Sequence, residues 1–330
     1  MPELYPLLLL PSFDPRPWGV RDLRPIYNDV VKEPIGESWL TWSDNVVANG
    51  PLSGQKLGDI ARQYGRELVG RAAQYADRFP LLVKFLFTAE KLSVQVHPDD
   101  EGARRVGEHF GKTECWYVLH AEPGAQLALG LKPGVSKEDL RRAIVGAEAE
   151  ELLNWIDVQT GDMLYVAAGT VHTIGGGVRL VETQQASDLT YRLYDYGRPR
   201  ELHVEEGLAA VKLQTHAGKV VRRPEDDPRF LIRSPFFQVE KIRLQKAFEE
   251  VVTPDSPHVI VAIDGSGMLE APGMEPVSFA RGEAVVVPAG VPRYSVRPQW
   301  ELEIMRMSLP LEALPEPETT LSTAAMPLRH

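Results

Sequence analysis

"TGDMLYVAAGTVHTIGGG", residues 160–177, and "RGEAVVVPAGVPRYSVRP", residues 281–298, are written to one plan. Each has a glycine followed by an acid, an apolar run of strand length, an Ala-Gly step, and then a ring-bearing residue. The glycine steps are turn signals and the apolar runs between them read as strands. Two copies of one β unit point to a duplicated small barrel. The copies differ where chemistry would sit. The first carries His172 and the second carries Arg293 and Tyr294, so the first barrel has the means to hold a metal and the second lacks them.

Further short runs bounded by Gly, Pro, Asp and Asn extend the pattern in both directions. They include "LLVKFLF" (81–87), "KLSVQVH" (91–97), "ECWYVLHA" (114–121), "QLALGL" (126–131) and "GVRLVETQQ" (177–185). After the charged, proline-bearing stretch 220–237 the runs resume at 236–244, 258–271 and 302–309. Such spacing indicates an all-β barrel or sandwich, not alternating βαβ units. Helical periodicity interrupts it at about 54–70, with Leu57, Ile60, Ala61, Tyr64 and Leu68 on one stripe. It does so again at 136–155, where Ser136 and Asp139 form a capping pair, and at 202–213. The expected organisation is mainly β. Residues 1–220 form a metal-binding domain with these helical insertions, and 221–330 form a β domain without a metal site. The Pro- and Thr-rich tail is expected to be loosely held.

Composition narrows the function classes. The chain has 330 residues, 43% hydrophobic and 25% charged, an ordinary globular balance. It contains no run of about 18 apolar residues that would span a membrane. Leu7 to Leu10 are bracketed by Pro6 and Pro11 with no basic region before them, so a signal peptide is not expected. Cys115 is the single cysteine, which rules out an intramolecular disulfide and suits a reducing compartment, the cytoplasm. The net charge of −10 repels nucleic acid and acidic membranes, so neither is an expected partner. An anionic ligand would need a local cluster of Lys and Arg. A monomer or weak homodimer is expected.

"KLSVQVHPDD" (91–100) alternates so that Ser93, Gln95 and His97 share one face of a strand and Leu92, Val94 and Val96 the other. Pro98 is expected to end the strand and leave His97 at the rim of a site. With Glu114 opening another strand and His172 following the Gly-Asp strand, four candidate ligands are in hand. Imidazole and carboxylate suit Zn²⁺. A Gln oxygen is a weak neutral ligand, which would leave the ion a good Lewis acid. Spacing alone leaves open both a metal site and a set of ordinary buried polar residues. His109, His120, His203, His216, His258 and His330 lack such partners and read as structural or solvated.

"VETQQASDLTYRLYDYGRPREL" (181–202) holds Glu182, Gln184, Asp188, Arg192, Asp195 and Arg198. Arg192 lies among Tyr191, Leu193 and Tyr194, a setting for a partly buried guanidinium that wants a carboxylate or phosphate. Lys112 falls two residues before Glu114 and so on its side of the strand.

Four stretches carry a family resemblance: "IGESW" (35–39), "KLSVQVHPDDEGA" (91–103), "GKTECWYVL" (111–119) and "GTVHTIGGGVRLVETQQASDLTYRLYDYGR" (169–198). They resemble the type I mannose-6-phosphate isomerases in their short bacterial form, over most of residues 10–210. The resemblance implies duplicated cupin (jelly-roll) barrels with one Zn²⁺ per chain, bound by Gln95, His97, Glu114 and His172. It implies Arg192 as the active-site arginine, Lys112 and Glu182 as its lysine and acid, and Ser93 as a substrate contact. The implied reaction interconverts mannose 6-phosphate and fructose 6-phosphate. A proton must move between C1 and C2 through a cis-enediol. Glu182 is the first candidate base, with His97 or a water at the metal left open, and Arg198 is placed with Lys112 and Ser93 at the substrate. The chain departs from the family pattern at Trp18-Gly19-Val20, where Trp-Gly-Gly is usual, and at "LTWSD" after "IGESW", which is one residue longer. Two other readings stand beside this one: a cupin dioxygenase and a non-catalytic sugar-binding bicupin.

Overall fold

The computed structural model describes residues 2–75 and 78–321. It is mainly β, and its strands form two compact units, each built on a cupin barrel. The duplication is visible in the turns. In the first copy Gly161 has φ 95°, Asp162 N–H donates to the Gln159 carbonyl, and the Asp162 carboxylate accepts from Gln159 N–H at 2.9 Å. In the second, Gly282 has φ 90°, Glu283 N–H donates to the Ala280 carbonyl, and the Glu283 carboxylate accepts from Ala280 N–H at 2.7 Å. The Gly-acid pair therefore makes the same self-capped turn twice, with glycine supplying the positive φ.

The unit that carries His97, Glu114 and His172 comprises Arg16–Val20, Leu86–Val221 and the chain from Pro317. One of its sheets runs in the order Tyr191–Tyr194, Val94–Val96, His172–Ile174, Gln126–Leu131, Leu153–Asp157. The other contains Val178–Gln185, Glu114–Ala121, Met163–Val166, Ala217–Val220 and Thr319–Thr320. Their facing side chains, among them Trp116, Val118, Leu127, Leu129, Leu164 and Leu180, form the barrel core. Val94, Val96, Ala128, Tyr191 and Leu193 point the other way, into a second core beneath the helices Lys137–Val145 and Val204–Ala210. The Val204–Ala210 helix sits close because residue 207 is glycine: a Cβ there would lie 2.4 Å from Leu193 Cδ2.

The other unit comprises Met1–Pro15, Arg21–Phe85 and Arg222–Glu316. Its sheet follows the order Leu7–Leu9, Ala284–Val287, His258–Glu270, Arg293–Ser308, Gln238–Leu244, Phe230–Arg233. This division differs from a cut into 1–220 and 221–330. The chain changes unit at Val221/Arg222, and residues 21–85 group with the C-terminal strands. The cause is long-range contact: the Tyr27 hydroxyl donates to the Gly282 carbonyl at 2.9 Å, and Gly290 N–H donates to the Glu67 carbonyl at 2.7 Å.

Local differences from the expected elements also have physical causes. The 136–155 segment is helical over Lys137–Val145 and Ala149–Leu152, but Leu153–Asp157 is a strand, drawn into pairing with Gln126–Leu131. A helix not expected from periodicity covers Asp100–Arg105. Asp99 caps it by accepting from Gly102 N–H, with acids in its first turn and arginines in its last. Part of the tail is held, since Lys219 registers with Thr320. Residues 322–330, including His330, lie outside the described residues.

Candidate metal centre

Three strands bring the candidate ligands to one row. His172 is directly opposite Gln95 in one pairing, and Gln95 is directly opposite Arg192 in the next. Residues opposite one another on neighbouring strands share a face. Here that face is the barrel interior, because Val94, Val96, Tyr191 and Leu193 fill the outer core. From the other sheet, Glu114 opens Glu114–Ala121 and points inward, as does Trp116 two residues later.

His97, Glu114 and His172 converge, with one ligand atom from each lying within 4.8 Å of the others. Among the described residues this is the one such group of His, Cys, Asp and Glu side chains. Glu114 carboxylate oxygens lie 3.3 Å from His172 Nε2 and 3.6 Å from His97 Nε2. A tetrahedral ion held at about 2.0–2.1 Å sets its ligand atoms about 3.3–3.4 Å apart, so the spacing fits. The tautomers fit as well. His97 Nδ1 is 3.0 Å from the Leu189 carbonyl and His172 Nδ1 is 2.9 Å from the Thr170 carbonyl. A carbonyl can only accept, so each Nδ1 carries a proton, which makes Nε2 the ligating nitrogen of the neutral ring. Burial first, and then the nearby Lys112 charge, depress His172 to a pKa of about 3, with the Thr170 carbonyl working the other way. The imidazole is therefore neutral, the form that ligates.

Gln95 reaches the same point through its amide nitrogen, 3.2 Å from His172 Nε2, while its oxygen accepts from Ser93 Oγ at 3.3 Å. As a ligand it would present its oxygen where the nitrogen now lies. Lys112 Nζ is 3.4 Å from Glu114, and both side chains are buried. His97 is not at a rim. It is 1% exposed, and its carbonyl accepts from Gly169 N–H at 2.8 Å.

Glu182 lies one inward-facing row along the sheet from Glu114, registered with Trp116, whose indole N–H donates to it at 3.0 Å. The Trp116 ring in turn meets His172 edge-on at 5.5 Å. Sequence reasoning missed Trp116, although its position two residues after Glu114 on a strand places it on the site's face. Also missed was the support of Glu114. Thr113 N–H donates to Gln185 Oε1 and Ala168 N–H donates to Thr113 Oγ1, while Gln185 Nε2 and Gly111 N–H both donate to Asp100. Cys115 faces the other side. Burial, with Glu114 and Glu182 adding to it, raises its thiol well above the usual range, so it stays protonated.

Arg192 is half-buried, with Nη1 donating to the Glu201 carbonyl at 2.8 Å. Burial and then Arg200 lower its pKa, while Asp195 works the other way. A cation in such a setting favours an anionic partner. The Arg198 guanidinium is engaged by Asp195 at 3.2 Å and Glu90 at 2.9 Å.

The corresponding place in the second copy is filled by other side chains. Tyr294 is buried in its core and its hydroxyl meets His258 Nδ1 at 3.1 Å. Arg306 fills the neighbouring space, donating from Nε to Glu240 at 2.6 Å and pairing with Glu250. Within that unit the "IGESW" motif makes a separate buried set. Trp39 Nε1–H donates to Glu37 at 2.7 Å, Lys84 Nζ is 3.5 Å from Glu37, and it stands 4.2 Å over the Trp39 ring.

Duplicated cupin barrels, with a buried two-histidine, one-carboxylate cluster in one of them, define a bicupin with a candidate metal centre. Comparison with known proteins makes this specific. Residues 24–129 match the family model for the phosphomannose isomerase type I catalytic domain. Over 86% of this chain and 92% of the relative, the sequence is 35% identical to the mannose-6-phosphate isomerase of Streptococcus mutans. It is 33% identical to mannose-6-phosphate isomerase ManA of Bacillus subtilis, over 88% of this chain and 95% of the relative. The crystal structure of a Bacillus subtilis mannose 6-phosphate isomerase superposes with a TM-score of 0.79 at 31% identity, covering 91% of this chain and 99% of that one. The chain belongs to the type I phosphomannose isomerase family.

Proposed function

We propose that this protein is a zinc-dependent isomerase that interconverts mannose 6-phosphate and fructose 6-phosphate in the cytoplasm. The observation that carries the reading is the row His172–Gln95–Arg192, which sets a ligand cluster and a half-buried guanidinium on one barrel face. The donor set of two neutral imidazoles, one carboxylate and one amide suits Zn²⁺. When bound there, the ion would supply Lewis-acid polarisation of a sugar oxygen.

The remaining work belongs to the chain. Gln95, His97, Glu114 and His172 hold the ion. Arg192 stabilises negative charge that develops at the sugar oxygen as the cis-enediol forms. Lys112 and Ser93 meet the phosphate or a sugar oxygen, with Arg198 assisting. Glu182 carries the proton between C1 and C2, with its carboxylate oriented by the Trp116 indole. These cations provide the local positive field that a chain of net charge −10 otherwise lacks.

Product analysis in oxygen-free buffer tests the reaction class. Mannose 6-phosphate should convert to fructose 6-phosphate and stop at an equilibrium mixture reached equally from either side. No conversion without oxygen, together with oxygen uptake and an oxidised product in air-saturated buffer, would replace this reading with a dioxygenase.

A further inference from the structure

The residues after the Tyr191–Tyr194 strand form a turn and a short return, in which the reaction as described uses Arg198 and leaves Asp195 and Arg200 without a task. Tyr196 (φ 54°) and Gly197 (φ 77°) both have left-handed backbone, and Arg198 N–H donates to the Asp195 carbonyl at 3.0 Å. A turn with two positive-φ central residues suits glycine and resists a bulky side chain. Tyr196 is held there, and Asp195 is what holds the return in place. Its carboxylate is 2% exposed and accepts from Arg198 Nη1 at 3.2 Å and from Arg200 Nε and Nη2 at 2.6 and 2.7 Å.

The residue after Arg200 is Glu201, whose carbonyl accepts from Arg192 Nη1 at 2.8 Å. Two residues further on, His203 N–H donates to the Arg192 carbonyl at 2.7 Å, and its Nδ1 accepts from Arg192 N–H at 3.3 Å. The Arg192 side chain is thus tied to main chain whose course depends on one buried carboxylate. Strain kept by surrounding contacts is the mark of a segment whose exact placement matters.

We propose that Asp195 is a positioning residue: by pinning Arg198 and Arg200 it fixes the Glu201 carbonyl, and through that carbonyl it aims the Arg192 guanidinium. The inference rests on the reading of Arg192 as the charge-stabilising group of an isomerase. Asp195→Asn keeps shape and one acceptor oxygen but removes the charge that holds two guanidiniums.

The test is a double-mutant cycle in the metal-loaded protein, using Asp195→Asn, Arg192→Ala and the pair, with metal content and melting temperature recorded for each. Asp195→Asn should lower kcat about 10- to 100-fold, the scale of a misplaced catalytic group, with metal content unchanged. The pair should be no slower than Arg192→Ala alone, because Asp195 acts through Arg192. Losses that multiply, or a normal kcat in Asp195→Asn, would overturn the inference. If Asp195→Asn does not fold, Arg200→Gln removes two of the three donors at the same carboxylate and carries the same cycle. A readout free of turnover separates this inference from the isomerase reading. The Arg192 Nε–Hε NMR resonance, assigned by its loss in Arg192→Lys, should shift in Asp195→Asn. A resonance that does not move overturns the relay, whatever reaction the protein catalyses.

Discussion

Arg192 lies directly opposite Gln95 in the antiparallel pairing of Tyr191–Tyr194 with Val94–Val96. It therefore shares a face with the ligand cluster while contributing no ligand to it. Arg192→Ala should lower kcat by about 10²- to 10³-fold, the cost of removing a donor to developing negative charge. Metal content should stay at the wild-type level. Steady-state kinetics with metal analysis check both halves, and normal turnover would end the proposed role.

His97→Ala and His172→Ala should each lose the metal and, with it, activity. Each removes an Nε2 donor from a set whose members lie 3.3 to 3.6 Å from Glu114. Metal analysis after dialysis is the measurement. Full stoichiometric metal in either variant would show that the ligand set is drawn wrongly.

Glu182→Gln keeps an oxygen to accept the Trp116 indole N–H and removes the carboxylate's capacity to take a proton. Turnover should fall about 10²- to 10⁴-fold with metal content unchanged. Deuterium incorporated from solvent at C1 or C2 during wild-type turnover would report the same proton transfer. A fully active variant would move the base role to His97 or to a water.

The strands around this site could be read from their own residues. Glu114–Ala121 and Gln126–Leu131 coincide with the runs that alternation and turn signals mark off. The convergence of His97, Glu114 and His172 follows from which residues share an inner face. Other features depend on partners distant in sequence. Leu152 and Leu153 suit a helix as well as a strand, and it is pairing of Leu153 with Leu131 that decides. Ser12–Asp22 is a strand despite Pro15 and Pro17, which local propensity argues against. The grouping of residues 21–85 with the C-terminal strands was equally out of reach of any local pattern. The Asp100–Arg105 helix did have a signal in its Asp99 cap and flanking charges, but it is too short for periodicity to show.

Stability should depend on pH through His258. Burial, and then the Arg306 charge, depress its folded-state pKa to about 3, against an ordinary value of 6.5. The unfolded chain therefore binds a proton below about pH 6.5 that the folded chain refuses until about pH 3. Its contribution is fully present above pH 6.5 and is lost progressively as pH falls through that window. Melting temperature should decline between pH 7 and pH 5, and less steeply in His258→Gln than in wild type. Parallel slopes would show that His258 is not the source.

If the His97–Glu114–His172 cluster holds the metal on which sugar-phosphate isomerisation depends, activity and metal must come and go together. The most direct measurement is a coupled assay that feeds mannose 6-phosphate and detects fructose 6-phosphate, before chelation, after it, and after Zn²⁺ is returned. Chelation should abolish turnover and Zn²⁺ should restore it. Turnover that survives complete removal of metal, verified by metal analysis, would contradict that dependence.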